Sequence, residues 1–386
     1  MKIFMQRKHI LSSQKNNPWM GEMVLNPAII RDESTARIHM LFRASGPWEN
    51  KQLSGKPLPY PICLGYGYSD DDGENWEFDC ARPALFPRLS YDSGKICIKN
   101  NLGKTVTDYS NGGMEDPRLF RLDNKVYLTV ACRMFPPGPY WEHDDPVQCA
   151  PDWVFTGENP FGEAARHNYT VNVLYRVNLL ELSCGRYEKA FTYITPLTNP
   201  KYGEDRDVMF FPERIEIGGK KKLVMLQRPF VPSTYQSLNE NKPSVVITYA
   251  DAFEDFFHDN CTRKILMKPE LGWEHDRIGA SAPPVKISGS SWLLCYHGKQ
   301  DSDAGYTQSF AIVEKQGNDF KIVKKCCERL ITVQEKWEMP GKFKTPCIFI
   351  TGMIRSGENL ILSYGAADEK IGILKLNYKE LMNYIQ

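Results

Sequence analysis

The sequence predicts an all-β fold, a five-bladed β-propeller with four-stranded antiparallel blades. Three observations carry that prediction. Strand-like runs rich in Val, Ile, Tyr and Phe alternate with Gly, Asn, Asp and Pro clusters almost throughout. One strand-pair pattern recurs five times along the chain, and recurrence of such pairs marks a radial array of sheets. Long helical periodicity is nearly absent; only Tyr378 to Ile385 suits one or two terminal turns.

Each unit opens with a proline near the start of an apolar run, turns through a few polar residues, and returns as a second apolar run. The first pairs Asn26-Pro27-Ala28-Ile29-Ile30 with Ile38-His39-Met40-Leu41-Phe42-Arg43, and the second Asp116-Pro117-Arg118-Leu119-Phe120 with Val126-Tyr127-Leu128-Thr129-Val130. The third joins Pro212-Glu213-Arg214-Ile215 to Leu223-Val224-Met225-Leu226. Pro284-Val285-Lys286-Ile287 with Trp292-Leu293-Leu294-Cys295-Tyr296, then Pro346-Cys347-Ile348-Phe349 with Leu360-Ile361-Leu362-Ser363-Tyr364, complete the set. Sixteen residues after the proline, the first three units carry Arg43, Arg133 and Arg228, and the fourth has His297 thirteen after Pro284. If equivalent positions face one axis, these cations converge there as an anion site built by symmetry.

The prolines are 62 to 95 residues apart. A four-stranded blade needs about 40 to 50 residues, so the surplus belongs to loops. No linker separates two compositions, and residues 1–386 are read as a single catalytic propeller with long loops at 44–62 and 134–168. The first loop holds Gly46-Pro47-Trp48, Pro57 and Pro59; the second holds Trp141, Asp144, Asp145 and Trp153. Long loops on a rigid scaffold line binding sites as often as they decorate a surface. Ser69-Asp70-Asp71-Asp72-Gly73-Glu74-Asn75-Trp76 fits the Asp-box pattern S-x-D-x-G-x-x-W of sialidase-like propellers, a tight hairpin turn with a tryptophan packed beneath it. It is read as structural.

Hydrophobic content of 42% and charged content of 25% suit a globular protein with a sizeable core. A net charge of +1 gives no global field for nucleic acid or anionic lipid, so neither is an expected partner and any basic site must be local. The eleven cysteines are odd in number and contain no CxxC pair. Several, including Cys132, Cys295 and Cys347, lie in apolar runs, which fits reduced thiols and a cytoplasmic protein. The N-terminus lacks a long apolar stretch, and no segment approaches membrane-spanning length. No metal-ligand spacing, glycine-rich phosphate loop or G-x-S-x-G elbow occurs, so no metal or resident cofactor is expected.

Asp116 is the leading catalytic candidate. It follows Gly112-Gly113-Met114-Glu115 at the head of the second unit, where aromatic shielding is expected to raise its pKa and let it protonate a leaving oxygen. The plainer reading is a turn aspartate before proline. Asn26, which also precedes its proline, would bring a second polar group to the centre. Arg43, Arg133, Arg228 and His297 form the second constellation: converging cations are costly unless an anion, or a network with Glu115, Asp207 and Asp368, neutralises them. Arg206 and Asp207, in a charged cluster feeding the apolar Val208-Met209-Phe210-Phe211, are a third candidate pair. Asp368, after Tyr364-Gly365-Ala366-Ala367, is placed to accept sugar hydroxyls.

At these residues the chain resembles glycoside hydrolase family 130, the β-mannoside phosphorylases and related mannosidases, whose fold is a five-bladed propeller. The motifs that carry the resemblance run in order from Asn26-Pro27 through Phe42-Arg43-Ala44, Glu115-Asp116-Pro117-Arg118, Asp205-Arg206-Asp207 and Phe211-Pro212-Glu213 to Ala282-Pro283-Pro284, Tyr296-His297-Gly298 and Tyr364-Gly365-Ala366-Ala367-Asp368. The resemblance implies that Asp116 is the general acid, acting through a sugar hydroxyl, while inorganic phosphate attacks the anomeric carbon with inversion and leaves mannose 1-phosphate. It implies phosphate binding by Arg43, Arg133, Arg206 and His297. Substrate contacts are expected at Asn26, Asp207, Arg228, Tyr296 and Asp368. Two departures stand out: Arg206 occupies a place where family phosphorylases usually carry lysine, and the insert between Arg133 and Tyr169 is longer than the family loop.

Phosphorolysis of a β-mannoside oligosaccharide, with phosphate as co-substrate, is therefore the first reading. An inverting β-mannosidase using water, with Glu115, Asp207 or Glu213 as base, is the second. A non-catalytic glycan-binding propeller is the third, and the sequence leaves a homo-oligomer open.

Overall fold

The computed structural model describes residues 3, 5–46, 52–53, 56–57, 61–90, 96–100, 102–135, 169–300, 305–341 and 346–385, with backbone alone at 52–53 and 56–57. The loops expected at 44–62 and 134–168 lie for most of their length outside the described residues, as do Trp48, Trp141, Asp144, Asp145 and Trp153.

Five antiparallel sheets form the predicted propeller. Blade 1 runs outward through Met23–Arg31, Ile38–Ser45, Cys63–Ser69 and Glu77–Phe78, and blade 2 through Gly113–Leu122, Lys125–Arg133, Thr170–Val177 and Phe191–Pro196. Blade 3 comprises Asp205–Phe210, Lys220–Pro229, Val245–Ala250 and Thr262–Met267; blade 4 comprises Arg277–Ala280, Ser291–Lys299, Thr307–Gln316 and Asp319–Lys325. Blade 5 runs through Ile348–Ser356, Asn359–Ala366 and Lys370–Asn377, and its outermost strand is the N-terminal Met5–Ser12. The chain's two ends thus close the ring within one sheet, which leaves no blade unpaired at the seam. The terminal helix spans Tyr378–Ile385, where the sequence suggested it.

Two blades share a device that ties the crossover before the blade to its second strand. In blade 4, Trp273 stacks on Tyr296, whose hydroxyl donates to Glu274 Oε1 at 3.0 Å, while Glu274 Oε2 accepts from the backbone N–H groups of Glu270 and Leu271 and from Lys325. In blade 5, Trp337 stacks on Tyr364, whose hydroxyl donates to Glu338 Oε1 at 2.6 Å; Glu338 Oε2 caps Gln334 and Glu335, and Arg7 supplies the cation. Both glutamates are fully buried. A buried carboxylate is tolerable only with its lone pairs filled and a cation beside it, which each lock provides. Arg7 sits on the N-terminal strand, so the second lock also pins the ring closure.

The Asp-box is structural, as read. Ser69 Oγ and Asp71 Oδ1 accept from the backbone N–H groups of Gly73 and Asn75, and Trp76 Nε1 donates to the Gly73 carbonyl. Among the described residues the cysteines are all free thiols, and no helix is long and apolar enough to cross a membrane.

Candidate active site

The innermost strands of blades 1, 2 and 3 carry the same interruption. Leu25 pairs with Arg43 and Ala28 with Leu41, so Asn26 and Pro27 oppose one residue. Likewise Asp116 and Pro117 fall between the pairs Glu115–Ala131 and Arg118–Thr129, and Asp207 and Val208 fall between Arg206–Arg228 and Met209–Leu226. Two residues against one is a β-bulge. Its first residue is left-handed in each case, with φ of 46° at Asn26, 51° at Asp116 and 57° at Asp207. Asn and Asp are the side-chain-bearing residues that best tolerate this region, and proline fits because the bulged position needs no ladder N–H. The turn-aspartate reading of Asp116 therefore describes its backbone correctly, and the same kink places its side chain at the site.

The kink has a chemical consequence. Successive strand residues normally face opposite ways, but each bulge turns two neighbours to one side. Leu25 with Asn26, Glu115 with Asp116, and Arg206 with Asp207 all line a cavity of about 360 Å³ at the propeller axis. Arg43, Arg133 and Arg228 reach it from second strands, with Phe230, Tyr306, Cys347, Phe349 and Asp368 completing the described wall.

Asp116 sits in the densest part of this network. Its Oδ1 accepts from Asn26 Nδ2 at 2.7 Å and Arg43 Nη1 at 2.9 Å, and Arg206 Nη1 lies 3.5 Å from Oδ2. Glu115 beside it meets Arg133 Nε at 3.0 Å, Arg206 Nη1 at 2.8 Å and Arg43 Nη2 at 3.3 Å. Glu204 Oε1 holds Arg206 from behind through Nε at 3.1 Å and Nη2 at 2.8 Å.

A second cluster adjoins the first. Asp207 pairs with Arg228 Nε, lies 3.5 Å from Arg118 Nη2, and has His297 Nε2 at 3.4 Å from Oδ2. Gly279 makes this contact possible: a Cβ there would lie 2.3 Å from Asp207 Oδ2 and 2.6 Å from the His297 ring.

The electrostatics correct one expectation. Burial pushes the Asp116 carboxyl up, but Arg43 and Arg206 outweigh it and hold the group below the ordinary carboxylate range. Sequence reasoning had aromatics shielding this group, whereas cations do. Glu115 is also held low, with burial opposed by Arg43, Arg206 and Arg133. Asp368 goes the other way: burial raises its carboxyl, Arg43 resists, and the Asp116 charge adds to the rise.

Of the ten residues singled out from the sequence, the structure brings Asn26, Arg43, Asp116, Arg133, Arg206, Asp207, Arg228 and Asp368 to the cavity wall. His297 stands one layer back, fully buried against Phe349 and Tyr306, with its Nδ1 at 3.1 Å from Ser281 Oγ. Burial lowers its pKa against the pull of Asp207, so the ring tends to neutrality rather than to the cation expected. Tyr296 does not reach the cavity. Strand alternation turns it away from its neighbour His297, into the Glu274 lock. Glu213 likewise lies elsewhere, bonded to Lys286 and Trp292 Nε1.

Register also corrects the proline rule. Val208, not Pro212, occupies the place of Pro27 and Pro117, and Arg133 lies two positions beyond Ala131, the counterpart of Arg43 and Arg228. Sequence reasoning missed Glu204, Arg118 and Phe230 as contributors. Period two carried from Arg228 one residue past the end of its strand signals Phe230, whereas Tyr306 and Phe349 arrive from other blades with no local signal.

A five-bladed propeller that gathers carboxylates and guanidinium groups in one axial cavity is the frame, and family membership makes the chain a carbohydrate-active enzyme. The chain belongs to glycoside hydrolase family 130: the family model described as beta-1,4-mannooligosaccharide phosphorylase matches residues 164–386. A 1,2-beta-oligomannan phosphorylase of Thermoanaerobacter sp. (strain X514) is 24% identical over 377 residues, covering 97% of this chain and 96% of the relative. A beta-1,2-mannobiose phosphorylase of the same organism is 24% identical, covering 96% and 95%. The solved structure of a beta-1,2-mannobiose phosphorylase from Listeria innocua, in complex with beta-1,2-mannobiose, superposes with a TM-score of 0.65 at 15% identity, covering 99% of each chain, a likeness of fold.

Proposed function

We propose that this chain is an inverting β-mannoside phosphorylase, which transfers a mannosyl group from a β-mannoside to inorganic phosphate. The observation that carries the reading is Asp116 held between Asn26, Arg43 and Arg206 on the cavity wall. Asp116 donates a proton, through a sugar hydroxyl, to the glycosidic oxygen as the C1–O bond breaks. A phosphate oxygen forms the new bond to C1 from the opposite face, giving mannose 1-phosphate and a shortened acceptor. Arg43, Arg133 and Arg206 are assigned to phosphate, since guanidinium forks match its oxygens. Asp207, Arg228 and Asp368 are assigned to the sugar.

An ionised acid cannot donate. Phosphate dianion competes with Asp116 for Arg43 and Arg206, and withdrawing those cations raises the carboxyl toward the protonated form. Burial and the neighbouring Glu115 push in the same direction.

Hydrolysis needs a second carboxylate about 6.5–9.5 Å from the acid and free to activate water. The three candidate bases named from the sequence are committed elsewhere: Glu115 to three arginines, Asp207 to Arg228 and Arg118, and Glu213 to Lys286 away from the cavity. The test is to incubate β-1,2- and β-1,4-mannobiose with and without phosphate and assay mannose 1-phosphate. Phosphate-dependent release is expected; cleavage at an equal rate without phosphate overturns the proposal.

A further inference from the structure

Three guanidinium groups from three blades meet on one side chain that the reaction itself does not use. Glu115 accepts from Arg133 of blade 2 and Arg206 of blade 3, pairs with Arg43 of blade 1 at 3.3 Å, and is 2% exposed. Two of those arginines, Arg43 and Arg206, also face the Asp116 carboxylate, one residue along the same bulge. Glu115 therefore divides their charge with the proton donor.

We propose that Glu115 is a positioning residue of this site: it holds Arg43, Arg133 and Arg206 as one platform and, by taking up part of their charge, leaves Asp116 able to bind the proton it must deliver. The inference rests on the phosphorylase reading for its meaning in turnover, but its electrostatic content stands without it.

Among the described residues, the groups facing Asp116 come from blades 1, 2, 3 and 5. Asn26 comes from the inner strand of blade 1 and Arg43 from the second. Glu115 and Arg118 share its own strand, with Arg118 Nη1 donating to the Asp116 carbonyl at 2.8 Å. Arg206 comes from blade 3, and Asp368 follows the second strand of blade 5. Two carboxylates, Glu115 and Asp368, oppose three guanidinium groups around one acid. Asp368 is itself pushed toward neutrality by burial, so Glu115 is the stronger counterweight. Take its charge away and the surroundings of Asp116 become more cationic, with Arg43 and Arg206 no longer shared. The proton is then released at lower pH.

The positional half of the role follows from geometry. Glu115 uses both oxygens, Oε1 toward Arg133 and Oε2 toward Arg206 and Arg43, so it links strands that do not pair with one another in any sheet. Glu204 bonds Arg206 and lies within electrostatic reach of Arg133, but no contact joins it to Arg43. Glu115 is the one described group that ties all three together.

The test compares wild type with Glu115→Gln and Glu115→Asp. Rates of mannose 1-phosphate formation from mannobiose and phosphate are measured from pH 5 to 9. At saturating phosphate the alkaline limb of kcat in Glu115→Gln is expected to move acidward by about one pH unit, so activity above the limb falls about tenfold and largely returns below it. Glu115→Asp keeps the charge and should hold the wild-type limb while raising KM for phosphate. An unmoved limb in Glu115→Gln overturns the inference.

A readout independent of turnover separates this result from failure of the phosphorylase reading. Protein labelled with 13C at the aspartate carboxyl carbons is titrated by NMR, with the Asp116 signal identified by its loss in Asp116→Asn. Its midpoint should fall in Glu115→Gln and stay in Glu115→Asp, whether or not wild type phosphorolyses mannobiose. If Glu115→Gln does not fold, Glu115→Asp decides: an Asp116 midpoint that drops although the charge remains refutes the charge-sharing argument.

Discussion

Replacing Asp116 by Asn is the sharpest perturbation of the proposed proton donor, because the backbone tolerates it. Asp116 lies at φ 51°, a left-handed position that Asn accepts and Ala resists. An amide oxygen in the place of Oδ1 still accepts from Asn26 Nδ2 and Arg43 Nη1, the contacts at 2.7 and 2.9 Å. The cost is one uncompensated positive charge and an amide facing Arg206, about 1 to 3 kcal/mol. With an unfolding entropy of about 0.8 kcal/mol/K for a chain of 386 residues, Tm should fall by about 1 to 4 °C. Loss of the general acid is far larger in rate, about 10² to 10⁴-fold, or about 3 to 5 kcal/mol of barrier. The assay is kcat on mannobiose beside kcat on an aryl β-mannoside whose phenolate leaves without help. The disaccharide should lose the full factor and the aryl substrate much less. The KM for phosphate should not rise, since the wall has lost a negative charge. Equal losses on both substrates would refute proton donation by Asp116. Mannobiose turnover within about tenfold of wild type would remove it from the chemistry altogether.

Two further outcomes check the frame around the site. Burial raises the Asp205 carboxyl to about 7 against Arg228 and Arg263, so the folded chain keeps a proton that the unfolded chain, at 3.8, releases. Stability from this group is therefore full below about pH 4, drains as pH rises through about 7 and is flat above, a span on the order of 4 kcal/mol. Asp205→Asn should flatten Tm between pH 5 and 8 relative to wild type, and parallel melting curves would contradict that. Tyr296→Phe removes the donor at 3.0 Å from buried Glu274, so about 1 to 3 kcal/mol of stability should go while kcat/KM holds. A lower kcat/KM at unchanged Tm would return Tyr296 to the substrate.

The fold was legible because strand pairs and turn clusters recur along the chain, and so was much of the site, for a reason the bulges explain. Asn26 and Asp116 attract notice as polar residues before proline at the head of an apolar run, and the backbone there demands such residues. Asp207 has the same geometry before a valine, so the proline rule passed over it and fixed on Pro212 instead. Contact partners were the harder matter. Whether Arg43, Arg133 and Arg206 wait for an anion or already grip Glu115 depends on side-chain reach across three blades, which no spacing encodes. The same blindness reversed the direction of the Asp116 pKa. Tyr296 enters with the motif Tyr296-His297-Gly298, yet neighbours on a regular strand face opposite ways; adjacency helps only where a bulge breaks the alternation.

That break in alternation is also what makes the centre of this propeller chemically dense. Three regular strands would offer the axis three side chains at this level, but three bulged ones offer Leu25, Asn26, Glu115, Asp116, Arg206 and Asp207. The described wall then carries four guanidinium groups, on Arg43, Arg133, Arg206 and Arg228, and four carboxyl groups, on Glu115, Asp116, Asp207 and Asp368. The free site is close to neutral, so it is no preformed anion trap. A phosphate dianion gains these arginines only by loosening carboxylates already bonded to them, which moderates its affinity. The carboxylate it loosens at Arg43 and Arg206 is Asp116, the proposed proton donor. Binding of the nucleophile and protonation of the acid are thus two sides of one exchange of partners, and a site with fewer carboxylates would bind phosphate more tightly while leaving it nothing to arm.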